Sequence, residues 1–123
     1  MKRVLVVDDS DTVRNQVRKA LAPSGYEIIQ AIDGLEGLKA LRANPGLSLV
    51  LCDVNMPNLN GLDMLTMAVA EGFAVPIVIL TSEGLPSLIR RARESGAKAW
   101  ILKPFRDELL LAAVNKVALS EVD

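Results

Sequence analysis

The sequence predicts an α/β domain in which helices cover both faces of a five-stranded parallel sheet, a doubly wound (βα)5 three-layer sandwich. Five short runs rich in Val, Ile and Leu alternate with five longer segments whose apolar residues have helical spacing. The connections are only a few residues long, which favours right-handed helical crossovers between parallel strands. We therefore expect one domain over residues 1–123, with the strand order 2-1-3-4-5.

The predicted strands are five apolar runs bounded by turn residues. In chain order their sequences are RVLVV, YEIIQ, LSLVLC, VPIVIL and AWILK. Runs without polar interruptions are typical of parallel strands that are buried on both faces. This pattern is consistent with helices above and below the sheet.

The predicted helices are marked by apolar spacing and by signals at their ends. Val13, Val17 and Leu21 form the apolar stripe of the first helix. Ser10 and Asp11 precede that stripe and are its candidate capping residues. The stripe begins directly after the first strand, which leaves no room for a long loop.

The other helices carry similar signals. The second begins with a capping box, in which Glu36 follows Asp33 by three residues, and it ends before Pro45. The third and fourth end at Gly72 and Gly96, because glycine commonly follows the last turn of a helix. The segment RDELLLAAVNKVAL forms the last predicted helix.

Composition excludes several classes of function. The net charge is -1 and only 3% of residues are aromatic, so we expect no nucleic-acid binding. No apolar run approaches the roughly 20 residues that span a bilayer, and acidic residues follow the N-terminus too soon for a signal peptide, so we expect no membrane insertion. The single Cys52 excludes an intrachain disulfide and fits the cytoplasm. There is no histidine, which excludes an internal phosphohistidine.

Polar residues of reactive types follow four of the five predicted strands. They are Asp8 and Asp9 after the first, Asp53 after the third, Thr81 and Ser82 after the fourth, and Lys103 after the fifth. The carboxyl ends of parallel strands share one edge of the sheet, where ligands bind. Crowded carboxylates repel one another unless a cation joins them, and ligand sets made only of oxygen favour Mg²⁺. With a lysine and a hydroxyl, these groups are suited to phosphoryl transfer onto an aspartate.

Two carboxylates are candidates for the phosphorylated residue. With Asp9 as nucleophile and Asp11 as general acid, the sequence resembles a small phosphatase of the haloacid-dehalogenase-like fold. That family needs a flap after its Asp-x-Asp and a further acidic metal-binding pair beyond its lysine. Here a helical stripe follows at once, and a single helix follows Lys103. These departures favour the alternative nucleophile, Asp53.

Four motifs, in order and along essentially the whole chain, resemble a response regulator receiver domain of the CheY-like, flavodoxin-like type. They are VLVVDDS, DVNMPNLNG, ILTSEG and AKAWILKPF. The resemblance implies two-component signalling, with a sensor histidine kinase or a histidine phosphotransfer protein as the external phosphoryl donor. It also implies that the domain catalyses only its own phosphorylation and dephosphorylation and is not an ordinary enzyme.

The resemblance assigns the acidic residues to one metal-dependent site. Asp53 is the implied phosphoacceptor. Asp9 binds Mg²⁺ directly, Asp8 acts beside it, and Asp53 and the backbone carbonyl of Asn55 complete the protein ligands. The reactive carboxylate therefore lies one strand away from the other two.

The remaining site residues are implied to hold the phosphoryl group. Lys103 pairs with Asp53 and then with the phosphoryl oxygens, and the peptide bond between Lys103 and Pro104 is cis. The Thr81 hydroxyl and the backbone N–H of Ser82 hydrogen-bond a phosphoryl oxygen.

Two further pairs are implied to control the signal. Asn55 and Glu83 flank the path of the attacking water and set the lifetime of the phosphoryl group. Thr81 and Trp100 form the switch that reports phosphorylation. Because the family more often has Tyr, Phe or His at the position of Trp100, a tryptophan simply packed on the last strand is the alternative.

A downstream protein is expected to bind the face formed by the fourth helix, the fifth strand and the fifth helix. Arg90, Arg91 and Arg93 make the fourth helix basic, which suits either docking or a solvated face. We expect a stand-alone, chemotaxis-type receiver that is a monomer or weak dimer. A phosphorelay intermediate and a receiver cut from a longer regulator are the alternatives.

Overall fold

The computed structural model describes residues 2–120, with side chains described as far as residue 118. Five strands alternate with five α-helices. The strands are β1 (Lys2–Val7), β2 (Tyr26–Ala31), β3 (Leu49–Cys52), β4 (Ile77–Thr81) and β5 (Ala99–Leu102). The helices are α1 (Asp11–Leu21), α2 (Gly34–Ala43), α3 (Gly61–Ala70), α4 (Pro86–Glu94) and α5 (Asp107–Ser120), with a short 3-10 turn at Ala22–Ser24 after α1.

The sheet is parallel throughout and has the order β2-β1-β3-β4-β5, which confirms the predicted fold class and strand order. Val7, the last residue of β1, is in register with Ala31 of β2 and Cys52 of β3. Thr81 of β4 is in register with Leu102 of β5. Because these last residues are aligned, the residues that follow them meet at one edge of the sheet.

Alternate side chains of the strands enter two separate cores. Leu5 and Val7 of β1 face a core shared with α2, α3 and α4, whereas Val4 and Val6 face a core shared with α1 and α5. All four are fully buried. Burial of a Val or Leu side chain stabilises a fold by roughly 1.5–3 kcal/mol. This two-sided burial explains why the strand sequences are apolar without interruption.

The helix starts agree with the predicted signals, with one correction. Ser10 is the N-cap of α1, and its hydroxyl accepts a hydrogen bond from the Val13 N–H at 3.3 Å. Asp11, the other candidate cap, is instead the first helical residue and pairs with Arg14. An acid in the first turn favours the positive end of the helix dipole, so both residues support the same helix start.

The start of α2 is a modified capping box. The Asp33 carboxylate accepts from the Glu36 N–H at 2.8 Å, as predicted. The Glu36 carboxylate accepts from the Ile32 N–H at 3.0 Å, one residue before the cap. Both contacts tie the end of β2 to the first turn of α2.

Within residues 2–120, none of the helices combines the length and the apolarity that a membrane-crossing helix requires.

Candidate functional site

Three aspartates come together at the carboxyl edge of the sheet. Asp8 and Asp9 follow β1, and Asp53 follows β3, the strand beside it. One carboxylate oxygen from each lies within 4.8 Å of the others. Asp8 is fully buried and Asp53 is 7% exposed, whereas Asp9 is exposed. The cluster therefore combines two desolvated carboxylates with one that faces water.

Lys103 brings a positive charge to this cluster. Its Nζ lies 2.7 Å from Asp8 Oδ2 and 3.4 Å from Asp53 Oδ2. The resemblance assigned the lysine to Asp53, but its closer partner in the structure is Asp8. The Lys103 N–H donates to the Thr81 carbonyl at 2.8 Å, and the Lys103–Pro104 peptide bond is cis, as the resemblance implied.

The two oxygens of the Asp53 carboxylate have different partners. Its Oδ1 accepts from the Val54 N–H at 2.8 Å, while Oδ2 lies on the side of Lys103. The Asp53 N–H donates to the Val7 carbonyl at 2.9 Å, which continues the pairing of β1 with β3. A Cβ on Gly61 would collide with the Asp53 carbonyl oxygen, so glycine is required where α3 begins. The backbone around Asp53 is therefore fixed from both neighbouring elements.

The electrostatics of the cluster favour an added cation. Burial raises the pKa of Asp53, and the nearby Asp8 carboxylate raises it further. Lys103 and the Val54 N–H act in the opposite direction but do not cancel this rise. All the clustered ligands are carboxylate oxygens, the donors that Mg²⁺ prefers. The residues present thus fit a hard divalent cation.

Thr81 and the two residues after it lie at the end of β4. The Thr81 side chain is fully buried, and its Oγ accepts from the Glu83 N–H at 3.3 Å. Ser82 is exposed. The Asn55 side-chain amide donates to Glu83 Oε1 at 2.7 Å. The structure therefore brings into direct contact the two residues that the resemblance assigned to phosphoryl lifetime.

Trp100 lies on β5, half-buried against the core beneath α2, α3 and α4. It lines a small cavity of about 60 Å³ between α4 and β5, beside Ile89 and Ala92. Its indole N–H is buried and has no hydrogen-bond partner among the described residues. Both interpretations of Trp100, as a switch and as a packing residue, remain predictions.

The basic residues of α4 are exposed. Arg91 pairs with Asp63 of α3 at 3.4 Å, while Arg90 and Arg93 lie on the same exposed helix. Arg93 also borders the small cavity beside Trp100. Use of this surface for docking remains a prediction.

Two contacts near the site were missed by the sequence analysis. Arg14 is nearly buried, at 8% exposure, and donates to the Asp8 carbonyl at 2.6 Å. Asp33 accepts from the Asn58 side-chain amide at 2.7 Å, which joins the start of α2 to the loop after Asp53. The burial of Arg14 could have been suspected from its spacing, because it lies three residues before the apolar Val17 and so on the inner side of α1.

Comparison with known proteins agrees with this geometry. The family model for the response regulator receiver domain matches residues 4–115. The chain is 35% identical over 111 residues to the chemotaxis protein CheY1 of Helicobacter pylori, covering 88% of this chain and 90% of that protein. The structure of Vibrio cholerae CheY4 has a TM-score of 0.88 at 34% identity, covering 95% of this chain and 98% of that one. A CheX-CheY-BeF3-Mg²⁺ complex from Borrelia burgdorferi has a TM-score of 0.90 at 27% identity, covering 94% and 88%.

The matched range contains every strand end that contributes to the acidic site, from Asp8 to Lys103. The relatives match this chain over nearly their whole length, so the likeness includes the order of all five strands and helices. The chain belongs to the response regulator receiver domain family and is a CheY-like receiver of the two-component type.

Proposed function

We propose that this receiver transmits a signal by accepting a phosphoryl group on Asp53 from the phosphohistidine of a sensor histidine kinase or a histidine phosphotransfer protein. Receiver domains are signalling domains rather than conventional enzymes. The observation that carries the proposal is the placement of Asp53 Oδ2, which lies 3.4 Å from the Lys103 ammonium and within the cluster of three carboxylates. The chain has no histidine, so the donor is external.

Asp8, Asp9 and Asp53 would hold Mg²⁺ together with the backbone carbonyl of Asn55. Receiver domains generally bind this ion at an acidic pocket, and the related CheY complex from Borrelia contains it. When bound, the ion neutralises the carboxylates and stabilises negative charge on the phosphoryl oxygens.

Each residue of this site has a separate role in phosphoryl transfer. Asp53 Oδ2 forms the new O–P bond as the P–N bond of the donor breaks, while Val54 N–H keeps Oδ1 fixed. Lys103 exchanges part of its pairing with the carboxylates for the phosphoryl oxygens. The Thr81 hydroxyl and the Ser82 N–H donate to one of those oxygens. Asn55 and Glu83, which hydrogen-bond each other, control the approach of the water that later hydrolyses the group.

We further propose a chemotaxis-type output in the cytoplasm, carried by residues 1–123 as one domain that is a monomer or weak dimer. Phosphorylation shifts the population of two forms of the α4–β5–α5 face, where a downstream protein binds. Trp100 lies on this face, beside the cavity next to α4. A phosphorelay intermediate would instead pass its phosphoryl group to a second histidine protein.

Phosphotransfer from purified histidine kinases tests the proposal. Each kinase, labelled with radioactive phosphate on its histidine, is mixed with this protein and Mg²⁺. We expect the label to move from a cognate kinase to the wild type and to Asp107→Asn, an exposed aspartate that serves as the control. Asp53→Asn should accept none. Transfer to Asp53→Asn at the wild-type rate would contradict the proposed site, and onward transfer to a histidine phosphotransfer domain would favour the relay.

A further inference from the structure

Asp8 is contacted by two cationic side chains, one at its carboxylate and one at its backbone carbonyl. Lys103 contacts its carboxylate, and Arg14 of α1 contacts its backbone carbonyl at 2.6 Å. Lys103 belongs to the proposed phosphoryl site, whereas none of the roles proposed above involves Arg14. A nearly buried arginine is uncommon unless its charge is paired and its donors are satisfied.

The guanidinium of Arg14 joins three segments of the chain. Besides the Asp8 carbonyl at the end of β1, its Nε donates to Gln30 Oε1 of β2 at 3.1 Å. A terminal nitrogen donates to the Asp11 carboxylate in the first turn of α1. Only the planar, forked donor set of arginine reaches three such acceptors at once.

The remaining polar atoms of Asp8 are also engaged. Its N–H donates to the Ala31 carbonyl at 3.0 Å, and its Oδ1 accepts from the Ser10 N–H at 2.9 Å. The hydrogen bonds between β1 and β2 end at Asp8, so among the described residues the Asp8 carbonyl has no acceptor role in the sheet. Arg14 supplies the donor for this carbonyl.

The contact with the Asp8 carbonyl also bears on the next residue, Asp9. Because a peptide unit is planar, fixing the Asp8 carbonyl also fixes the N–H and the Cα position of Asp9. Within the described part of the chain, no hydrogen bond or ion pair holds the exposed Asp9 carboxylate. The contact therefore fixes the backbone position from which the side chain of this proposed metal ligand extends.

We propose that Arg14 is a positioning residue for the metal site: it fixes the Asp8–Asp9 peptide and so places the Asp9 backbone at the distance from which its carboxylate reaches the cation. This inference rests on the proposed Mg²⁺-dependent function. It predicts that Arg14 affects the affinities for Mg²⁺ and Ca²⁺ to different extents. Mg²⁺ demands near-ideal octahedral geometry, whereas Ca²⁺ accepts variable coordination, so loss of the positioning contact should weaken Mg²⁺ more than Ca²⁺.

The rival explanation is that Arg14 acts only through its charge. Removing a positive charge beside a cation site would then strengthen the binding of both ions to similar extents, and a change that keeps the charge would have no effect. Arg14→Lys keeps the charge and loses the forked contacts. Arg14→Gln loses both.

Isothermal titration with MgCl2 and then with CaCl2, at fixed ionic strength, separates the two explanations. We expect Arg14→Lys and Arg14→Gln each to weaken Mg²⁺ binding by about 10-fold or more, the usual effect of removing an outer-shell partner, with a smaller loss for Ca²⁺. Arg18→Lys and Arg18→Gln are the matched controls. Arg18 is exposed one turn further along α1, and its variants should bind like the wild type.

Wild-type Mg²⁺ affinity in Arg14→Lys, or equal changes for both ions in the two Arg14 variants, would overturn the inference while leaving the proposed function intact. A wild-type protein that binds no Mg²⁺ would overturn both. If circular dichroism shows that the Arg14 variants do not fold, Gln30→Ala decides instead. This variant removes the Gln30 acceptor of Arg14 at an exposed position. We expect it to lower the ratio of Mg²⁺ to Ca²⁺ affinity severalfold. An unchanged ratio would overturn the inference.

Discussion

Lys103 is paired with Asp8, at 2.7 Å, more closely than with the proposed phosphoacceptor Asp53, at 3.4 Å. The ammonium thus lies among the same carboxylates that are proposed to hold the cation. The lysine and a bound cation would both be attracted to these carboxylates, and the positive charge of each would weaken the binding of the other. We expect the lysine to stabilise the acidic cluster before phosphorylation and to contact the phosphoryl oxygens after it.

Replacing Lys103 should separate metal binding from phosphorylation. In Lys103→Met we expect tighter Mg²⁺ binding, because a competing positive charge is lost. We also expect phosphorylation by acetyl phosphate to slow by about 100-fold, the usual effect of losing one group that stabilises developing charge. Calorimetry and phosphorylation kinetics measure the two effects. Lys98→Met, an exposed lysine just before β5, is the control, and weaker Mg²⁺ binding by Lys103→Met would argue against the competition.

Asp53 should destabilise the fold at neutral pH. Burial and the Asp8 carboxylate raise its pKa, so the folded state prefers the protonated form. Stability from this group is present at low pH and is lost as the pH rises through its folded-state pKa. Asp53→Asn should therefore increase the free energy of unfolding at pH 7 by about 1 kcal/mol, with a smaller gain at lower pH. Urea unfolding in EDTA buffer measures this, and a gain that grows as the pH falls would contradict the sign.

Asp33 should stabilise the fold with the opposite pH dependence. The Glu36 N–H and the Asn58 amide lower its pKa, so its contribution is present at neutral pH and is lost as the pH falls through the folded-state value. Asp33→Ala should cost about 1–2 kcal/mol of unfolding free energy at pH 7, and less in acid. Urea unfolding over a pH series tests this. Asp33→Asn keeps a cap acceptor and should lose less, and a pH-independent cost in Asp33→Ala would refute the linkage.

Asn55 and Glu83 should act as a unit on phosphoryl lifetime. The Asn55 side-chain amide donates to Glu83 Oε1 at 2.7 Å, which joins the loop after β3 to the loop after β4. We expect Asn55→Ala and Glu83→Ala each to shorten the lifetime severalfold, and the double variant to add little, because either change breaks the same contact. The decay of labelled protein after removal of the donor gives the rates. Fully additive effects would show that the two residues act independently.

The sheet and the main site residues could be predicted because they depend on local patterns. Val7 and Cys52 end apolar runs and Thr81 directly follows one, and parallel strands bring their carboxyl ends to one edge. The family match then confirmed the fold and the receiver class. The proximity of Asp8 to Asp53 follows from that strand order, because Val7 and Cys52, the residues before them, are in register.

The contacts that the sequence could not supply join residues from different elements of the fold. Whether Lys103 pairs with Asp8 or Asp53 depends on differences of less than 1 Å, which no spacing encodes. Arg14 was not singled out from the sequence, because its acceptors on Asp8 and on Gln30 of β2 come together only in the folded chain. Asp33 was recognised as a cap, but its second contact required the position of the loop after β3.

Locating the phosphoryl group after reaction with acetyl phosphate and Mg²⁺ tests the central claim most directly. The protein is incubated, reduced with borohydride to mark acyl phosphates and mapped by peptide mass spectrometry, with Asp53→Asn in parallel. We expect one modified residue, Asp53, and no modification of Asp53→Asn. Modification at Asp9, with Asp53 untouched, would show that Asp53 is not the phosphoacceptor.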